Sequence, residues 1–219
     1  METEARARLR TARTEAKLSV RELSRRVGIS PSMLSQIENG HCEPSVATLY
    51  ALVSELSISF DQLLGGPGTD HRPGPPAAPA SPVATPVVTP EKRAVLVMDS
   101  GVTWERLTPS PDPLVDALLV TYPPGSSSST NGGLMSHHGR EYGFLMSGRL
   151  TVRLGFETHH LEPGSSISFD SAVPHLYVNE SDEPASGLWH VIAGGGGAPG
   201  TESPAPVWRP MDARGEGRS

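Results

Sequence analysis

Residues Val20–Gly40, VRELSRRVGISPSMLSQIENG, decide the fold of the first third of this 219-residue chain. Leu23, Val27, Ile29, Leu34 and Ile37 recur at helical spacing on either side of Gly28, so the segment reads as two successive helices with apolar faces. Gly28 is a residue that takes a positive φ at a sharp turn without steric cost. Ser19-Val-Arg-Glu22 is a capping box for the first helix, and Ser30-Pro31 puts an N-cap before a proline at the first position of the second. Asn39-Gly40 closes the second helix with residues that tolerate a left-handed cap. Two helices crossing near a right angle bury the five apolar residues, with the small Ser24 where they approach. Ser30, Pro31, Ser32, Ser35, Gln36 and Asn39 are left facing outward, small or polar, as an approach to base edges and phosphates requires.

The helical pattern extends outward to Leu9, Ala12 and Ala16 before this segment and to Leu49, Leu52, Val53 and Leu56 after it. Ser45 caps a fourth helix and Ser59-Phe-Asp-Gln62 offers a capping box for a short fifth, so residues 1–65 read as a five-helix bundle. Charge is distributed unevenly. Residues 1–30 hold eight Lys/Arg against four acids, and residues 31–64 hold four acids and no Lys or Arg. The whole chain carries −6. A basic surplus confined to one segment is where a phosphate-facing surface is expected.

Residues 65–90 contain eight prolines, four glycines and no aromatic residue, so 66–90 reads as a flexible Pro/Gly/Ala-rich linker. From Gly194 to the C-terminus the chain is again of low complexity, and 194–219 reads as a disordered tail. Cys42 is the only cysteine, which excludes an internal disulfide and any all-cysteine metal cluster. No apolar run reaches the ~18 residues of a membrane helix, and the start, Met-Glu-Thr-Glu, is unlike a secretory signal. A soluble, cytoplasmic protein is expected.

Between linker and tail, residues 91–193 change period. Short β-rich runs at Ala94–Met98, Val102–Leu107, Leu114–Tyr122, Tyr142–Met146, Leu150–Leu154, Ser166–Phe169, His175–Val178 and Leu188–Ile192 are divided by Gly, Pro, Asn and Ser. They predict an all-β barrel or jelly roll, with Ser147-Gly148-Arg149 as a tight hairpin turn. At strand period two, Met135, His137, Glu141 and Gly143 share a face, so His137 and Glu141 can both point inward, and His175 can join them from a later strand. Two imidazoles and one carboxylate leave open positions on Fe, Mn, Ni or Zn. A polar pocket lining, or a His–Glu pair without metal, accounts for the same residues. Met135, Tyr177 and His190 are the candidate effector-pocket residues. His138 has the wrong parity, and His159 and His160 fit the surface of a hairpin.

On these motifs, residues 1–65, and Ser35-Gln-Ile-Glu-Asn-Gly40 above all, resemble the helix-turn-helix of Cro and lambda-repressor type, the Xre family. The resemblance implies Gln36 and Ser32 as base readers. It also implies Ser19, Arg21, Ser30, Ser35 and Asn39 in the remaining DNA contacts, with helix starts and Arg21 on phosphates. The stretch Met135–Gly148, with Leu161-Glu-Pro-Gly164 and Pro174-His175 to Asn179, resembles the two motifs of the cupin fold, a double-stranded β-helix barrel. In that family His137, Glu141 and His175 match metal ligands, while Met135 stands where a further His is usual.

Together the two resemblances imply a one-component bacterial regulator, a repressor in the leading reading. It would bind a DNA operator as a homodimer and a small-molecule effector in the barrel, with a divalent metal as an open question. The alternative is a mononuclear non-haem iron enzyme similar to the hydroxypropylphosphonate epoxidase, which also joins a repressor-type bundle to a cupin. His137, Glu141 and His175 match its iron ligands, but the barrel motifs show no clear Lys/Arg cluster for a phosphonate.

Overall fold

A computed structural model describes residues 3–58, 62–63, 86–109 and 115–192. The predicted tail, 194–219, lies outside the described residues, as does the predicted linker 66–90 except for its last five positions.

The first part holds α1 (Thr3–Glu15), α2 (Val20–Val27), α3 (Pro31–Asn39) and α4 (Val46–Leu56). Ser19, Ser30 and Ser45 each cap a helix, their hydroxyls accepting from the backbone N–H of Glu22, Met33 and Thr48. Gly28 and Gly40 both adopt φ of +79°, as the α2–α3 turn and the end of α3 require. Only half of the predicted capping box forms, because the Glu22 carboxylate turns to Arg25 and Arg26 instead. The described residues contain four α-helices rather than five. Residues 59–61, where the fifth would start, are not among them, and Gln62 and Leu63 alone remain of it. Leu9, Leu23, Leu34, Ile37, Leu49 and Leu52 form the fully buried centre of the bundle.

The second part follows a one-turn 3₁₀ segment, Pro90–Lys92. Its nine strands are β1 (Val95–Val97), β2 (Thr103–Arg106), β3 (Val115–Tyr122), β4 (Arg140–Ser147), β5 (Leu150–Leu154), β6 (Glu157–Leu161), β7 (Ser166–Asp170), β8 (His175–Val178) and β9 (Ala185–Ile192). They form a six-stranded sheet, β1-β2-β3-β9-β4-β7, facing a three-stranded one, β6-β5-β8, with every named pairing antiparallel. One expectation needs correction, and one strand, β6, is added to those expected. Ser147-Gly148-Arg149 is not a hairpin: β4 pairs with β7 and β9 while β5 pairs with β6 and β8, so this turn carries the chain from one sheet to the other. A side chain at Gly148 would strike the backbone of Pro184 and Ala185, which forces the glycine. The true hairpin lies at Gly155-Phe156, where Leu154 pairs with Glu157 to open β6. Only one residue of β6 (ETHHL) is buried, so it carries no hydrophobic alternation to read.

The two parts meet directly. The Ala47 N–H, in the first turn of α4 where no intrahelical acceptor exists, donates to Ser128 O at 3.0 Å. The Asp99 N–H donates to Pro44 O at 3.1 Å. Buried apolar side chains run without interruption from Ala5 in α1 to Trp189 in β9.

Candidate functional site

The outer side of α3 is built from within the bundle. Leu34 and Ile37 are buried, which turns Ser32, Gln36 and Asn39 outward as exposed residues, with Ser35 half-buried between them. Arg21 and Ser30 are exposed beside them. The Asn39 side-chain amide is turned back onto its own helix, donating to Ser35 O at 2.8 Å. The hydroxyls of Ser19 and Ser30 are engaged as caps. The helix is clamped from behind. Arg13 on α1 grips Glu38 on α3 through Nε–Oε1 at 2.6 Å and Nη2–Oε2 at 2.9 Å, both side chains almost fully buried.

That pair belongs to a wider redistribution of the basic segment. Arg6 pairs with Glu43, Arg8 with Glu4, Arg25 with Glu22, and Arg26 with both Glu22 and Glu55. Among the described residues, Arg10, Lys17 and Arg21 are exposed cations of residues 1–30 without an ion pair. The local surplus of Lys/Arg therefore overstates the charge free to meet a phosphate.

In the barrel, His137 precedes β4, Glu141 lies on it, and His175 opens β8. Backbone hydrogen bonds between Met135 and His175 bring the two segments together. Ligand atoms of the three residues lie within 4.8 Å of one another, and all three side chains are buried. Each imidazole turns Nδ1 to a backbone carbonyl, His137 to His138 O at 3.2 Å and His175 to Val173 O at 2.8 Å. With the ring proton on Nδ1, both Nε2 atoms present lone pairs, and both converge on Glu141 Oε1, at 2.8 Å and 3.1 Å. His175 Nε2 is buried without a hydrogen-bond partner. Two lone pairs and a carboxylate converge only around a cation, either a proton or a metal. Carbonyl-oriented imidazoles are also the outer-sphere arrangement that metal-binding histidines use. The donor set therefore fits a divalent ion. Met135, also buried here, adds only a thioether, a poor partner for the harder ions.

Glu141 also accepts a short hydrogen bond from the Tyr177 hydroxyl, which in turn accepts from Trp189 Nε1 at 3.0 Å. Burial pushes the Glu141 carboxyl up, but with a proton as the shared cation the hydrogen bonds and charge of the two imidazoles outweigh burial and hold it at about 2. Burial, then the charge of Glu141, pushes the Tyr177 phenol well above its ordinary value, so it remains a donor.

Beside these groups lies a small cavity of about 10 Å³, lined mainly by aromatic and aliphatic side chains, with Glu141 as its acidic member. Met135 and Tyr177 line it. His190 does not. Trp189 and Val191 face the cavity, so strand alternation sends His190 to the opposite face, opposite Tyr142 and Ala117. Gly143 and Gly187 explain the choice, since a Cβ at either would come within 2.7 Å of the Trp189 ring. His138 and His160 are exposed, and His159 is half-buried on β6. Tyr50, Trp104 and Tyr122 also line the cavity and escaped the sequence reading. Tyr50 comes from α4, and its ring stacks on His137 with centroids 4.0 Å apart and planes 4° apart. The signal for it was the breadth of the apolar surface of α4. Val46, Leu49, Tyr50, Leu52, Val53 and Leu56 are all buried, more than a helix covered on one side needs.

Comparison with known proteins agrees with this layout. A helix-turn-helix family model matches residues 9–63 and a cupin-domain model matches residues 118–191. The HTH-type transcriptional regulator PuuR of Escherichia coli is 25% identical over 187 residues, covering 85% of this chain and 91% of that protein. The HTH-type transcriptional regulator SutR of the same organism is 23% identical over 178 residues, covering 80% of this chain and 86% of that one. Among solved structures, an HTH_3 family transcriptional regulator from Vibrio cholerae superposes with a TM-score of 0.59 at 22% identity, covering 88% of this chain and 96% of that one.

Proposed function

We propose that this chain, an Xre-type helix-turn-helix transcriptional regulator with a C-terminal cupin domain, is a repressor whose barrel senses a small-molecule effector. The observation that carries the reading is the exposed Ser32–Gln36 side of α3, clamped from behind by the buried Arg13–Glu38 pair. A helix held rigidly with a small, polar outer side suits entry into a major groove. Gln36 and Ser32 read base edges. Arg21 and the amide-bearing starts of α2 and α3, at Ser19 and Ser30, meet phosphates. Ser35 and Asn39 flank that surface, and the inward turn of the Asn39 amide makes it a support for α3 first and a contact second. Operator binding is by a two-fold homodimer, with half-sites about one helical turn apart. The relatives named as HTH-type transcriptional regulators support the reading of the chain as a transcriptional regulator.

In the barrel, His137 and His175 through Nε2, together with Glu141, hold one divalent ion, Fe, Mn, Ni or Zn. Such an ion would offer open coordination positions to a donor atom of the effector. Tyr177 and Trp189 position the Glu141 carboxylate, and the aromatic walls keep bulk water away. The test is a gel shift of the full chain on the DNA upstream of its own gene across a salt series. Binding should weaken steeply with salt. Gln36→Ala should relax preference at its base position at a cost of about 1–3 kcal/mol, and Arg21→Ala should weaken all sequences alike. A chain that prefers no duplex, yet consumes oxygen with Fe(II) and a substrate, would belong to the enzyme reading instead.

A further inference from the structure

The cavity has two kinds of wall. Trp104, Tyr122, Tyr177 and Trp189 stand on strands locked into hydrogen-bonded ladders. Val46 and Tyr50 stand on α4, a helix of the DNA-reading bundle, which meets the barrel through the Ala47–Ser128 and Pro44–Asp99 backbone hydrogen bonds. Tyr50 also meets Trp104 edge-on, with centroids 5.4 Å apart. The free space of about 10 Å³ holds about one water molecule, whereas small-molecule sites run to several hundred Å³. A molecule that reaches Glu141 must displace a wall. Moving a strand breaks a ladder of backbone hydrogen bonds, while moving α4 breaks the Ala47–Ser128 and Pro44–Asp99 backbone hydrogen bonds together with the contacts its own side chains, Tyr50 among them, make with the barrel.

We propose that Tyr50 is the resident occupant of the effector pocket. The effector and Tyr50 compete for the face of His137, and effector binding lifts α4, with the reading head, off the barrel. The proposal rests on the reading of the bundle as a DNA head and the barrel as its sensor. Gln36 and Ser32 are exposed while α4 is docked, so the docked form is competent for DNA. In a dimer, docking holds two heads at one separation. Release leaves each head joined to its barrel by covalent chain alone, and the effective concentration of the second head at its half-site falls. An effector that fits only the undocked form has the differential affinity needed to shift the equilibrium.

The test needs no knowledge of the effector. Val46→Asp places a carboxylate in the pocket beside Glu141, while at the start of α4 the same charge favours the helix. Val191→Trp fills the cavity from the barrel side. Full-length wild type and both variants are compared by hydrogen exchange over residues 45–53, with β5 and β8 as controls. They are also compared by affinity for a duplex selected from a random pool by the wild type, offered with two half-sites or one. Both variants should exchange about tenfold faster over 45–53 with β5 and β8 still protected, and should lose about tenfold affinity for two half-sites but none for one. Unchanged exchange over 45–53 in Val46→Asp overturns the proposal. Loss of protection in β5 and β8 of Val191→Trp does so too, since the barrel would then be the yielding wall. Faster exchange with unaltered two-site affinity refutes the coupling. If the wild type selects no duplex, the DNA reading fails while the exchange measurement still decides whether Tyr50 holds α4 down.

Discussion

Replacing Glu141 with Gln tests the electrostatics of the barrel centre in a defined pH window. The carboxyl is 1% exposed and held at about 2 rather than its ordinary 4.5. At 1.36 kcal/mol per pH unit that depression corresponds to about 3 kcal/mol of stability at neutral pH. Because the folded value lies below the unfolded one, the contribution is fully present above about pH 4.5 and is lost as the pH falls towards 2. By pH 3 the wild type should have lost about 2 kcal/mol from this group alone. Glu141→Gln keeps the shape but has no charge to lose, so its stability should fall less over the same range. Urea unfolding in the presence of a chelator, followed by the fluorescence of Trp104 and Trp189 from pH 6 to pH 3, reads the difference. Other carboxylates, such as the half-buried Glu22, cancel in the comparison. Parallel curves for the two proteins would show that His137 and His175 do not hold the carboxylate ionised, and the metal assignment built on the same convergence would lose its basis.

Three further perturbations probe separate parts of the molecule. Gly143→Ala sets a Cβ 2.7 Å from the Trp189 ring and 3.0 Å from Ile167, and should cost about 1–3 kcal/mol in urea unfolding with a shift of tryptophan emission; a variant of wild-type stability would mean that Trp189 does not fill the barrel there. Ser30→Ala removes the cap that accepts from the Met33 N–H at 3.1 Å, and should cost about 1 kcal/mol and weaken duplex binding with it. Arg13→Met strands the buried Glu38 carboxylate and should cost about 3–5 kcal/mol, whereas Arg13→Met with Glu38→Leu should recover much of that loss; equal instability of single and double variants would refute the clamp.

Where the controlling interactions are local, the residues spoke for themselves. Ser19, Ser30 and Ser45 cap helices because their hydroxyls reach amides three positions along, and Gly28 and Gly40 turn the chain because their own φ allows it. The triad His137, Glu141 and His175 was legible from the motif, but strand alternation places only Glu141, on β4; His137 lies in the irregular segment before that strand, next to the Met135–His175 bridge. Parity alone left His190 and Trp189 as rivals for the interior. Register against Gly143, which leaves space for an indole, decided between them.

Sequence by itself thus determined a capped helical head, a β-rich second part and three side chains of the kinds that can ligate a metal. Only the tertiary structure decided which strands Gly148 joins, where the arginines of residues 1–30 find their carboxylates, and that Tyr50 of α4 closes the barrel over His137. The physical reason is range. Caps, turns and alternation act across a few residues, whereas sheet partners, ion pairs between helices and the second buried side of α4 depend on segments brought together from far along the chain.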